Sequence, residues 1–179
     1  NVVAEDGTVD STTMRIFGAD PDNGPSRELA RYTWGTGMIY NPSFTLLPVF
    51  RLDRISRGGD HSPYVSLGDP GLRFTERLEN YKRQHLPTDD FAHVNFGYVA
   101  NVARINASVV GSLANAPAAP VALARRDQAS GGSKWMLTWK ECPGASRYAV
   151  LFRRTTAPTP AKCYRAGAAR PVPLPDRLE

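Results

Sequence analysis

With 179 residues, 41% of them apolar and 22% charged, the chain is long enough for one sizeable core, or a core and a small module, with the make-up of a globular protein. Its net charge of +5 comes from 22 basic residues. These are scattered, adjacent only at Lys82-Arg83, Arg125-Arg126 and Arg153-Arg154, so nucleic-acid binding is not expected, and no apolar run approaches the roughly 18 residues that span a bilayer.

Residues 1–11 are polar and turn-like, and the start at Asn1 reads as if cut from something longer. Residues 12–17 form a short strand pattern ended by Gly18, followed by a Pro- and Asn-containing loop. Ser26 is placed to cap a helix that runs through Trp34 and stops near Gly35 or Gly37, with Tyr40 as its far limit. Residues 44–52 are rich in β-formers, and Pro48 within them suits an edge strand or a bulge. A polar turn, Arg57-Gly58-Gly59-Asp60-His61-Ser62-Pro63, comes next. A short helical turn at 64–67 and a strand over 72–75 follow it. After a second polar turn over 80–89, residues 95–116 carry the clearest helical period, with Val99, Val102, Asn106, Val109 and Leu113 along one stripe. The order strand–helix–strand–strand–helix fits part of an α/β layer architecture.

Residues 117–120 read as a linker, and beyond them the period changes. Strand patterns appear at 121–123, 134–139 and 147–153, and Trp135, Leu137 and Trp139 fall on one sheet face. Three strands are fewer than the roughly seven of a complete sandwich. The chain therefore divides into 1–116, a linker over 117–120, an incomplete β module over 121–156, and a Pro- and Ala-rich tail over 157–179 that is expected to be disordered. Cys142 and Cys163 lack zinc-finger partners and read as a disulfide or as two thiols.

Chemistry concentrates in the two polar turns. His85 lies four residues before Asp89, a setting that suits either a loop histidine or a metal ligand whose second nitrogen donates to a carboxylate. Asp60 follows two glycines, as a local cap or as the acid that holds a catalytic group. Glu76 and Glu79 read as a solvated acidic loop, and His93 as a neighbour of the long helix. Ser62 lacks the setting of a serine nucleophile.

Taken together, Arg57-Gly-Gly-Asp-His-Ser-Pro-Tyr64, Gly68-Asp-Pro-Gly-Leu-Arg-Phe-Thr-Glu76, Glu79-Asn-Tyr81, Gln84-His85 and Tyr98-Val-Ala-Asn-Val-Ala-Arg-Ile-Asn106 resemble the C-terminal half of metallopeptidase family 28, over about residues 1–117. Residues 121–155 are similar to the start of a fibronectin type III domain, which follows the catalytic domain in some members. The resemblance implies an α/β fold: part of a three-layer α/β/α zinc-exopeptidase sandwich with a mixed sheet, joined to an incomplete β-sandwich. It implies a secreted or periplasmic exopeptidase, mostly of aminopeptidase type, that acts on peptides with one or two zinc ions.

By position, His85 matches the last zinc ligand, in a His-x-Pro-x-Asp trend. Asp60 matches the acid of the Asp-His-x-Pro turn beside the metal centre. Tyr81 is a candidate substrate contact, although the family's tyrosine more often stands immediately before the histidine, where this chain has Gln84. The family's other ligands and its general-base glutamate precede the stretch matched here. The expectation is a fragment that lacks the N-terminal half of the catalytic domain, binds zinc weakly and hydrolyses nothing alone. A non-catalytic binding or adhesion protein, and a glutaminyl cyclase-like acyltransferase, are the competing readings. The cyclase reading needs a tryptophan before the last histidine, and Gln84 argues against it.

Overall fold

The computed structural model describes residues 2–19, 24–53, 57–154, 157, 162–166 and 172–173, with 162–166 described by backbone alone. These form a mixed α/β chain in two compact units, Asn1–Ala114 and Asn115–Glu179.

The first unit is built on a three-stranded sheet. Strand β1 (Thr13–Phe17) leads through helix α1 (Pro25–Tyr40) to β2 (Thr45–Val49), which pairs parallel to β1. A parallel pair requires such a crossover, because the chain must return to the same sheet edge. A short helix, α2 (Ser62–Ser66), precedes β3 (Arg73–Glu76), which pairs antiparallel to β1. The order is therefore β2-β1-β3, with β1 central. Pro48 stands opposite Ile16 on the outer strand, where its missing N–H leaves no inner ladder broken.

Helix α3 (Phe96–Ala114) and α1 pack beside the sheet. The core joins Met14 and Ile16 of β1, Leu46 of β2, Ala30 of α1, and Tyr98, Ile105 and Val109 of α3, with Phe44 and Val2. Asn95 caps α3 by accepting the Tyr98 N–H at 2.8 Å.

Three local features differ from the sequence reading. Ser26 does not cap α1. Gly24 holds the cap position, Pro25 opens the helix, and the fully buried Ser26 hydroxyl accepts the Gly71 N–H at 3.0 Å. Helix α1 continues through Gly35 and Gly37 to Tyr40. Gly37 is there for packing: a Cβ at that position would lie 2.3 Å from Leu46 Cδ1 and 3.2 Å from Ile105 Cδ1. Finally, α3 is rotated from its anticipated stripe. Tyr98, Ile105 and Val109 are buried, while Val99 is 50% and Leu113 46% exposed. Tyr98 sets that rotation through its hydroxyl, which donates to the Thr13 carbonyl at 3.0 Å, and through its edge-on contact with Phe44. Asn106 is left outside, with its amide donating to the Val102 carbonyl.

The close approach at Gly37 makes a prediction. Gly37→Ala is expected to lower the unfolding free energy by about 1–3 kcal/mol in urea melts, because Leu46 is buried and has little room to move.

Among the described residues the second unit has five strands: β4 (Ala122–Arg126), β5 (Trp135–Trp139), β6 (Tyr148–Phe152), β7 (Lys162–Ala166) and β8 (Val172–Pro173). They form a sheet β4-β5-β8 and a two-stranded β6-β7 pair, all antiparallel. Strands β7 and β8 fall where the sequence shows no alternation, and each is defined by its pairing with β6 or β5. The remainder of the tail expected to be disordered lies outside the described residues. Trp139 packs on Tyr148 with ring centroids 5.5 Å apart, and the Tyr148 hydroxyl accepts the Cys142 N–H at 2.8 Å. Cys142 is a buried free thiol.

Candidate functional site

A cavity of about 420 Å³ opens in the first unit between β3, the 79–84 loop and the amino end of α3. Its apolar lining comes from Val2, Met14, Phe74, Tyr98, Val99 and Val102. Its polar lining comes from Arg57, Arg73, Glu76, Glu79 and Tyr81, and from Arg83, Gln84, Asp89, His93 and Asn95. An apolar lining with a few converging polar groups is the usual form of a small-ligand site.

Part of the polar lining is an ion cluster. Glu79, with a side chain only 7% exposed, takes ion pairs from both Arg15 and Arg57. The Tyr81 hydroxyl donates to Glu79 Oε2 at 2.9 Å and accepts from Arg57 Nη1 at 3.1 Å. Arg57 also reaches Asp53 Oδ2 at 2.8 Å and lies over the Tyr81 ring, 5.2 Å from its centroid. Arg73 donates to the Gly58 carbonyl at 2.8 Å. Burial pushes the Glu79 carboxyl up, but hydrogen bonds from Arg57 and Tyr81 and the charges of Arg57 and Arg15 outweigh it and hold the group below its ordinary range. Glu79 is thus not the solvated loop acid anticipated from sequence. It ties together β1, the glycine turn and the segment after β3, which are far apart in the chain.

The lining also includes His93, which pairs with the carboxylate of Asp90. His93 Nδ1 lies 2.8 Å from Asp90 Oδ1, in the short 3₁₀ turn before α3. The hydrogen bond with His93, then its charge, the Ala92 N–H and the charge of Arg83, draw the Asp90 carboxyl below its ordinary value against the effect of desolvation. His93 is therefore an oriented cavity-wall side chain as well as a neighbour of the helix. The spacing Asp-x-x-His was the available signal.

Of the three residues singled out by sequence, Tyr81 lines this cavity and Asp60 and His85 do not. Asp60 is exposed, in the turn before α2 where the Ser62 N–H donates to the Gly59 carbonyl. Beside it, burial and the charge of Arg73 hold the His61 imidazole below its ordinary value, and Asp60 opposes them. His85 is exposed in a loop of successive tight turns, with φ of 63°. It is the one non-glycine residue in the left-handed region among those described. That conformation costs a residue with a Cβ about 1–2 kcal/mol. His85→Gly is therefore expected to leave the melting temperature unchanged or raised while removing the imidazole, and a clear drop would show that the ring itself supports the loop.

No three His, Cys, Asp or Glu side chains among the described residues come together as metal donors. The described donors alone do not make a zinc site, which takes three or four protein ligands. No described helix is long and apolar enough to cross a membrane.

Comparison with known proteins gives related sequences. The chain is 31% identical to a probable zinc metalloprotease of Leptosphaeria maculans over 96% of its own length and 42% of the relative's. It is 30% identical to one of Pyrenophora tritici-repentis, over 88% of this chain and 43% of that protein. It is 35% identical to one of Pyricularia oryzae, over 81% and 32% respectively. The chain thus spans less than half the length of the curated relatives it matches. No family model matches it, and no solved structure does.

Proposed function

We propose that this chain is part of a zinc-dependent exopeptidase of aminopeptidase type, of metallopeptidase family 28, contributing the C-terminal portion of its catalytic domain. The observation that carries this reading is the similarity of 96% of the chain to a protein named as a probable zinc metalloprotease. The ordered motif series from Arg57 to Asn106 supports the narrower family and the exopeptidase type. On this reading the first unit belongs to a three-layer α/β/α sandwich and the second is an incomplete fibronectin type III-like module. The whole protein acts outside the cell or in the periplasm.

His85 supplies one zinc ligand, Asp60 supports the metal centre, and Tyr81 contacts substrate. Bound zinc lowers the pKa of its water and polarises a carbonyl. The remaining ligands and the general base belong to the part of the relatives' length that this chain does not span. What the chain itself offers is a walled cavity for substrate. The Glu79 cluster holds Tyr81 in its lining, and His93, paired with Asp90, lines it as well.

The test has two arms. The isolated chain, given zinc and an aminoacyl-nitroanilide, is expected to show no turnover; zinc-dependent turnover lost in His85→Ala would overturn its inactivity. In a polypeptide of the relatives' full length that carries this chain, zinc-dependent release of N-terminal residues is expected. His85→Ala should lower it at least roughly 100-fold, as loss of a direct metal ligand outweighs the roughly 10–100-fold effect of losing a ligand's supporting partner. Full activity in that variant would remove His85 from the metal centre.

A further inference from the structure

We propose that the cavity at the amino end of α3 binds a free carboxylate, with Arg83 as its cationic partner and the apolar lining taking the side chain next to that carboxylate. Three arginines line the cavity, and two are already committed. Arg57 is held by Glu79, Asp53 and Tyr81, and Arg73 by the carbonyls of Arg57 and Gly58. The half-buried Arg83 guanidinium makes no hydrogen bond or ion pair among the described residues, its charge acting on Asp90 only at longer range, and the side-chain amide of its neighbour Gln84 makes none either. Both line the same cavity as His93, whose Nδ1 is engaged by Asp90. A guanidinium with no hydrogen-bond partner, in one cavity with an unpaired side-chain amide, matches the flat, two-oxygen acceptor of a carboxylate.

The surroundings narrow the ligand further. Glu76, Glu79 and Asp89 also line the cavity, which disfavours a doubly charged anion such as phosphate. Asp89 has no ion pair among the described residues and suits an ammonium on the same ligand. Val2, Met14, Tyr98, Val99 and Val102 offer an apolar seat, and about 420 Å³ accommodates a ligand of dipeptide size. The substrate class is then a short peptide with an apolar residue next to its free carboxylate. This rests on the peptidase reading for the ligand's identity and not for its binding.

The test uses the whole 179-residue chain in EDTA, so that zinc plays no part, with binding followed by amide NMR shifts. N-acetyl-leucine is expected to bind about ten-fold more tightly than N-acetyl-leucinamide, the size of effect a charge-assisted pair gives. Arg83→Gln should bring the two ligands to equal affinity. Arg77→Gln, which removes an arginine paired to Asp10 outside the cavity, should leave the difference intact. Equal binding of acid and amide to the unaltered chain, or a difference that survives Arg83→Gln, would overturn the proposal. Gly-Leu binding more tightly than leucine assigns the carboxylate to a peptide, and the reverse order overturns that assignment. Carboxylate selectivity without hydrolysis in the full-length protein would count against the peptidase reading alone. Hydrolysis without that selectivity would count against this proposal alone.

Discussion

Glu79→Ala is expected to destabilise the first unit by roughly 3 kcal/mol. Removing one member of a buried ion pair typically costs about 3–5 kcal/mol, because the other charge is left without compensation. Glu79 is nine-tenths buried and faces two guanidiniums, Arg15 at 21% and Arg57 at 14% side-chain exposure. The low end of the range applies, since Arg57 keeps Asp53 and Arg15 is partly wet. Against a typical domain stability of about 5–15 kcal/mol, this is a large fraction. Urea melts of the unit measure it directly, and a change within experimental scatter would mean that the cluster is ornamental.

The same residue leaves a signature in pH. The Glu79 carboxyl is held below its ordinary value of 4.5 in the folded state. Its contribution is therefore fully present above that value and is lost as pH falls through the lower folded one. Glu79→Gln should flatten the acid limb of the stability curve and leave the neutral and basic limbs with the parent's slope. Asp10, which is held low by the Thr12 N–H and by Arg77 against the effect of burial, should keep part of that limb in the variant. Tyr81 depends on Glu79 for its hydroxyl position, so weaker ligand binding at the cavity should accompany the loss of stability.

The second large effect lies in the core. Phe44→Ala is expected to cost roughly 3–5 kcal/mol, the range for deleting a buried aromatic ring and leaving a cavity. Phe44 is 2% exposed and meets Tyr98 edge to face, with centroids 5.2 Å apart and planes at 70°. It stands at the entry to β2 and seals α3 against the sheet. Loss of the ring frees Tyr98, whose hydroxyl anchors α3 to Thr13. The prediction therefore includes faster hydrogen exchange at the amino end of α3, which forms one border of the cavity. Phe91→Ala, at a position 79% exposed, serves as the comparison and should shift stability by less than about 0.5 kcal/mol. Equal effects at the two positions would show that the sheet–helix packing is not what holds this unit together.

The local signals in the chain were strong where they were local. Pro48 on an outer strand, the turn at Gly58-Gly59, the long helix near the end of the first unit and the strand at Trp135–Trp139 all follow from residue spacing and backbone preference. Their causes lie within a few residues of each other, so periodicity and turn chemistry suffice to read them. The ordered motif series from Arg57 to Asn106 was likewise legible as a resemblance. It placed His85, Asp60 and Tyr81 in order along the chain without placing their side chains in space.

What the tertiary structure decided was every feature whose partner is distant. Glu79 read as a solvated acid because nothing near it in sequence shows that Arg15, 64 residues away, will meet it. Ser26 read as a cap because its acceptor role toward Gly71 spans 45 residues. The stripe along α3 read one residue off because a helical period sets how apolar positions repeat, while Tyr98 and its contact across 85 residues set which way the helix is turned. Arg83 stands out from Arg57 and Arg73 only once the partners of all three are seen. Sequence alone determined most of the elements, though not β7 and β8, and the candidate chemistry. The packing of remote segments determined which charges are spent on the fold and which are left to face the cavity, because Coulomb and hydrogen-bond energies depend on separation in space and not along the chain.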